Sequence, residues 1–149
     1  MPRARVLGLI AVAILLFLVI SGLLARAFSA DGAERSAVTG LVQAEAGGDL
    51  GGAIERVQHC AAEAGCRARM AANVATLRRS GSVSVLQLEP STSFSIGSTL
   101  GTARVAFRIG DSLPVVQCVR VRRAGSVLSG LRIELLTVSA PKKGNATCP

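Results

Sequence analysis

The chain has no tryptophan and no tyrosine, and His59 is its single histidine. Its aromatic character rests on four phenylalanines. Phe17 sits in an N-terminal apolar run and Phe28 just beyond it, which leaves Phe94 and Phe107 for the body of the protein. That scarcity excludes classes of function. Single-stranded nucleic-acid binders stack bases on aromatic side chains. Paratope-like surfaces and interface hot spots lean on tyrosine and tryptophan. Lysine is scarce too, with two lysines against fifteen arginines. The net charge is +8, and setting aside Arg3, Arg5 and Arg26, which flank the apolar run, leaves +5. This balance fits an anionic envelope or membrane surface. It fits nucleic acid poorly, because no helix or loop concentrates the charge beside aromatics.

Apolar residues are plentiful: half of the 149 residues are hydrophobic. Without the N-terminal run about 120 residues remain, a size that suits one domain around one aliphatic core. The run itself reads "MPRARVLGLIAVAILLFLVISGLLARA", with twenty uncharged residues from Val6 to Ala25. In a helix, twenty residues cover roughly 30 Å, the thickness of a hydrocarbon core. Secretory apolar segments are usually shorter. Residues 1–27 are therefore expected to be an uncleaved signal-anchor that crosses the membrane through residues 6–25. The competing reading is a signal peptide cleaved near Ala27, since Ala25-Arg26-Ala27 is an acceptable cleavage site. Both readings export the rest of the chain, and Arg3 and Arg5 keep the N-terminus inside. No cysteine precedes Cys60, which excludes a lipid-modified N-terminal cysteine.

Residues 28–32, "FSADG", carry turn chemistry and predict a short hinge. From Ala33 the spacing turns helical, with Val38, Leu41, Val42 and Glu45 on one stripe. Gly47-Gly48 ends that helix and Asp49 is a candidate N-cap for the next. The second helix aligns Ile54, Val57 and Ala61. A third, from about Cys66 to Arg79, aligns Met70, Asn73, Val74 and Leu77. After Gly81 the period becomes two. A first strand over Val83–Leu88 closes at Pro90, and residues 90–99 read as a loop or a short irregular strand. In the next strand Ala103, Val105, Phe107 and Ile109 oppose Thr102, Arg104, Ala106 and Arg108. Past a turn at 110–112, Val115, Gln117, Val119 and Val121 oppose Val116, Cys118, Arg120 and Arg122. A turn at Ala124-Gly125-Ser126 precedes a last strand in which Leu131, Ile133 and Leu135 oppose Arg132, Glu134 and Leu136. Residues 140–149 form a polar tail. The expected fold is α+β: the N-terminal helix, then about three helices packed on one face of a curved antiparallel four-stranded sheet, with residues 33–139 as the domain.

Helices followed by an antiparallel meander resemble the cone-shaped nuclear transport factor 2-like (cystatin-like) superfamily over roughly residues 33–139. The pieces that carry the resemblance are "AEAGGDLGGAIERV", "GTARVAFRIGDSLPVVQCVRVRR" and "GLRIELLTVSA". The whole is similar to small anchored envelope proteins of actinobacteria, and its layout is similar to secretion-system assembly subunits that join one transmembrane helix to such a domain. Enzymes of the superfamily place Asp, His or Tyr in the cone. Those positions have no match here, since Tyr is absent and His59 adjoins a cysteine.

The cysteines decide the compartment. "HCAAEAGCRARM" holds Cys60 and Cys66, while Cys118 and Cys148 stand alone. A structural zinc site needs pairs of ligands at closer spacing. Adjacent His59 and Cys60 would point about 100° apart on a helix, which suits neither a metal nor a catalytic pair. An even count in an exported chain fits disulfides. On one unbroken helix Cys60 and Cys66 would be too far apart to bond, so a break at Gly65 is expected. The expected pairs are Cys60–Cys66 and Cys118–Cys148, with two other pairings left open.

Three functional expectations follow. In the first, a non-enzymatic, membrane-anchored extracytoplasmic domain docks another envelope protein or an anionic envelope component. Its contact residues are Arg104, Arg108, Arg120, Arg122 and Arg132, with Glu134 across from Arg120. In the second, a small apolar ligand occupies a cone lined by Met70, Val74, Leu77, Phe107, Gln117 and Val119, in a secreted or anchored protein. The third is an enzyme, for which Asp49, His59 and Asp111 are the only polar residues to test, and they form no recognisable constellation. No catalytic residue, cofactor, metal or nucleic-acid partner is expected.

Overall fold

The computed structural model describes residues 2–92, 97–126 and 128–149, and side chains from residue 6 onward except that of residue 27. Phe94 and most of the loop expected around it lie outside these residues. The fold is α+β. Three helices, α1 (Pro2–Gly47), α2 (Leu50–Arg56) and α3 (Ala64–Leu77), precede β1 (Val83–Glu89), β2 (Thr99–Ile109), β3 (Val115–Ser126), β4 (Gly130–Val138) and the two-residue β5 (Lys142–Lys143). The sheet is antiparallel in the order β1-β2-β3-β4, and β5 extends along β3 beyond the end of β4.

The helices pack on one sheet face. Val38, Leu41 and Val42 of α1 and Met70, Val74 and Leu77 of α3 join Ala103, Val105, Phe107, Ile109, Val119 and Val121 in one buried cluster. The period of two in the strands and of 3.6 in the helices makes this possible, because each element brings a single apolar face. Asp49 caps α2 as its type predicts, accepting from the Gly52 amide at 2.9 Å. Cys60 and Cys66 are disulfide-bonded, with Cα atoms 5.2 Å apart. The helical break that permits this falls over residues 57–63, before Gly65, which lies inside α3.

Four sequence expectations are corrected. The hinge at 28–32 is absent: α1 continues through it without a break. Ala30 and Glu34 are buried against the sheet, and Asp31 pairs with Arg123. These contacts outweigh the helix cost of Gly32, about 1 kcal/mol relative to alanine. The helical body therefore begins upstream of Ala33. Second, α2 stops at Arg56, so Val57 bridges to Leu135 and Ala61 stands exposed in a turn. Third, β3 runs through Ala124-Gly125-Ser126 and turns only afterwards. Gly125 has φ +97° and faces the Gly130 carbonyl so closely that a Cβ would lie 2.2 Å from its oxygen. It is a strand glycine of close approach, not a turn glycine. Fourth, Glu134 pairs across from Arg122, because a bulge beside Arg120 and Val121 places Arg120 opposite Thr137.

The N-terminal part of α1 is strongly apolar and long enough to cross a membrane, and none of its most apolar stretch is buried against the domain. The paired cysteines fit an oxidising, extracytoplasmic compartment.

Candidate interaction surface

The face of the sheet away from the helices carries the arginines of the sequence expectation, and the structure divides them. Arg108, Arg120 and Arg132 are exposed and enter no salt bridge among the described residues. Arg122 is engaged: its Nε donates to Glu134 at 2.5 Å and its Nη2 to Gln58 Oε1 at 2.8 Å. Arg104 is not a free surface group. It is only 8% exposed, donates to the Ala146 carbonyl at 2.9 Å and to Asn145 Oδ1 at 2.6 Å, and lies 3.5 Å from Glu89. Alternation does point Arg104 outward, but the C-terminal tail folds back over it.

The tail is held there covalently. Cys118, on the outer face of β3, is bonded to Cys148 with Cα atoms 5.7 Å apart. Pairing of Lys142 and Lys143 with Val116 and Val115 starts the tail along β3. The Cys118 carbonyl accepts from the Ser139 amide at 2.9 Å. The polar tail is thus a built part of the face, and it splits that face into two clefts. One, of about 430 Å³, is bordered by Leu86, Ala106, Leu113 and Val116, with Arg104 and Lys143 at its rim. Leu86 is 50% exposed and Leu113 76%. The other, of about 320 Å³, is polar and basic, with Arg120, Lys142, Thr102 and Thr137. Sequence reasoning missed Lys142 and Lys143. Alternation reads only within a strand, and this pair becomes part of the face through the fold-back.

The six residues expected to line an apolar cone, Met70, Val74, Leu77, Phe107, Gln117 and Val119, are all buried. None borders either outer cleft. Three polar residues share this interior. Asn73 Nδ2 donates to Glu45 Oε1 at 2.9 Å and to the Ser139 carbonyl at 3.1 Å, and Gln117 Nε2 donates to Glu45 Oε2 at 2.7 Å. Gln117 Oε1 has no hydrogen-bond partner among the described residues. Burial pushes the Glu45 carboxyl above its ordinary value, and the two amide donors pull it part of the way back.

A second buried polar cluster was also missed. Arg123, 1% exposed, donates to Glu34 Oε2 at 2.8 Å and to Asp31. Glu34, fully buried, also accepts from the Ser91 amide at 2.6 Å and the Ser91 hydroxyl at 3.0 Å. Burial opposes the Arg123 charge, but the carboxylates of Asp31 and Glu34 outweigh it and hold its pKa above the ordinary value. The signal lay in the alternation: Arg123 shares the parity of Val115, Val119 and Val121, the core face.

The polar residues of the enzyme expectation lie on separate elements. Asp49 is spent on its cap. His59 is exposed in the turn after α2 with φ 60°, and Asp111 is exposed in the turn between β2 and β3. Among the described residues no group of three His, Cys, Asp or Glu could hold a metal ion. Compared with family models, curated proteins and solved structures, the chain matches none.

Proposed function

We propose that this chain is a non-enzymatic, single-pass membrane protein whose C-terminal domain stands outside the cytoplasm and docks another envelope protein or an anionic envelope component through the outer sheet face. A nuclear transport factor 2-like cone is the fold family we propose for the domain, on the order of its helices and antiparallel strands. The observation that carries the reading is α1. Its apolar stretch finds no burial in the domain, yet the same helix continues as a core element through Val38, Leu41 and Val42. An apolar surface of that size needs a cover, and a bilayer is the cover that matches its length. The anchor would then hold the basic face close to the envelope.

Two measurements test this. The intact mass of protein extracted gently from its host, without reductant, is expected to equal the full chain less the hydrogens of two disulfides. A chain shortened near Ala27 would mean a secreted protein, and the anchored reading would fall. Charge reversal at Arg108 and Arg120 is expected to weaken retention of whatever co-purifies with the protein. Unchanged retention would remove the outer face from the proposal.

A further inference from the structure

The turn between β3 and β4 has an unusual composition. Hairpin tips are ordinarily built from Gly, Asn, Asp and Ser, whereas here Val127 and Leu128 stand between Ser126 and Ser129 in the sequence. The two serines bond one another across the turn. The Ser126 amide donates to Ser129 Oγ at 3.2 Å, the Ser129 amide donates to Ser126 Oγ at 3.1 Å, and the two hydroxyls lie 2.9 Å apart. Leu128 contributes little to the packing, being 79% exposed.

Its position gives that exposure a meaning. The Leu128 carbonyl accepts from Arg26 Nη1 at 3.0 Å. Arg26 is the first charged residue after the uncharged run Val6–Ala25. If that run fills a hydrocarbon core of roughly 30 Å, Arg26 lies at the boundary with the headgroups, and the hairpin tip bonded to it lies there too. Phe28, 66% exposed, is half a turn further along the same helix. Arg26, Ser29, Leu128 and Ser129 border one cleft of about 330 Å³ at this junction, and Arg132, exposed on β4, stands two residues beyond Gly130. An exposed leucine with arginines beside it, set next to the end of an apolar helix, is the composition that seats at a membrane interface.

We infer that the β3–β4 hairpin is a second membrane contact, which inserts Leu128 at the headgroup level of the bilayer crossed by α1 and sets Arg26 and Arg132 against lipid phosphates. The inference rests on the anchored reading. It adds that the domain does not swing on its helix but leans on the lipid surface at one end of its sheet.

The absence of tryptophan from the chain supplies the test. Leu128→Trp and, at the opposite end of the sheet, Leu113→Trp each introduce one fluorophore at an exposed site. Each full-length variant is reconstituted into phosphatidylcholine vesicles containing a minor share of phosphatidylglycerol, with acyl chains brominated near the headgroup. The expected result is a blue-shifted emission and a large loss of intensity for Leu128→Trp, and neither change for Leu113→Trp. If the protein floats with the vesicles but Leu128→Trp emits as in water, the hairpin contact is overturned and the anchor stands. Quenching at both positions overturns the end-on orientation. A protein that does not float with vesicles brings down the anchored reading and the hairpin with it.

Discussion

Removal of one partner from the Arg123 cluster should destabilise the domain more than any surface substitution. Glu34 is fully buried and accepts three hydrogen bonds, one from Arg123 Nε and two from Ser91, with Arg123 Nη2 ion-paired to it at 2.7 Å. Glu34→Leu leaves the guanidinium with Asp31, whose side chain is 28% exposed. Arg123→Met leaves the Glu34 carboxylate with the Ser91 donors alone. Breaking a buried ion pair costs about 3–5 kcal/mol, because the remaining charge keeps its desolvation penalty. Asp31 softens the first change, so about 3 kcal/mol is expected for Glu34→Leu and about 4 kcal/mol for Arg123→Met. The double variant removes both charges. It should lie within about 1–3 kcal/mol of the parent, the residual loss coming from the Ser91 amide that has lost its acceptor. The singles and the double therefore define a coupling of at least about 4 kcal/mol. The assay is urea unfolding followed by far-UV circular dichroism, on oxidised full-length protein in detergent micelles. In thermal melts each single variant should lose about 12 °C or more. Single variants that cost less than about 1 kcal/mol, or whose costs simply add in the double, would refute the claim that this pair locks α1 to β3.

Other outcomes follow from the same contacts. Glu45 is raised above its ordinary value of 4.5, so the folded state holds its proton more tightly than the unfolded chain. Its contribution to stability is complete below that value and is lost as pH rises through the folded pKa. Glu45→Gln should flatten this decline in a series of urea midpoints against pH, and a decline equal to the parent's would exclude Glu45 as its source. Replacement of Cys118 and Cys148 by serine opens a loop with a sequence separation of 30, worth about 3–4 kcal/mol in the chain-entropy model. It should lower the urea midpoint accordingly, since Arg104 also loses the Ala146 carbonyl and Asn145 Oδ1 held over it by the tail; an unchanged midpoint would show that the tail adds nothing to the fold. Phe107→Ala empties the centre of the aliphatic core and should cost about 3–5 kcal/mol in the same unfolding assay.

The parts of this fold that were legible in the sequence are those that one local periodicity settles. The stripe Met70, Asn73, Val74 and Leu77 and the alternation from Ala103 to Ile109 each name a buried face, and every one of those residues is buried. Legibility failed where tertiary contact overrides local chemistry. Phe28 to Gly32 has turn composition, yet it is helical because Asp31 and Glu34 have a partner more than eighty residues away. Arg104 and Arg123 show the same limit from opposite sides. Alternation places Arg104 outward, and the tail buries it. It places Arg123 inward, and only a pair of carboxylates from α1 makes that tenable. Lone polar residues on apolar stripes were the available signal: Glu45, Asn73 and Gln117 lie on three such stripes and meet in one network.

The locked helix has a consequence for how the outer face would be used. A flexible linker would let the domain present any side to the membrane. Here β3 sends Arg123 into the helix side and Arg120 and Arg122 to the other, so the strand that grips α1 also carries the exposed arginines. On the proposed placement Ser126 is the membrane-proximal end of that strand. At about 3.3 Å per residue, Arg120 then stands roughly 20 Å farther out, and Arg108, beside the far end of β3, roughly 40 Å. A bilayer touching the β3–β4 turn cannot reach either. Arg108 and Arg120 therefore fit a partner that rises from the membrane alongside the domain, and Arg26 and Arg132 fit the lipid. The two pairs separate by experiment. Retention of a partner should respond to reversal at Arg108 and Arg120 and ignore the anionic content of the vesicles. Quenching at Leu128→Trp should respond to that content and ignore the distal pair. If distal reversal instead changed the quenching, the domain would be lying on its outer face, and the division of labour argued for these arginines would be wrong.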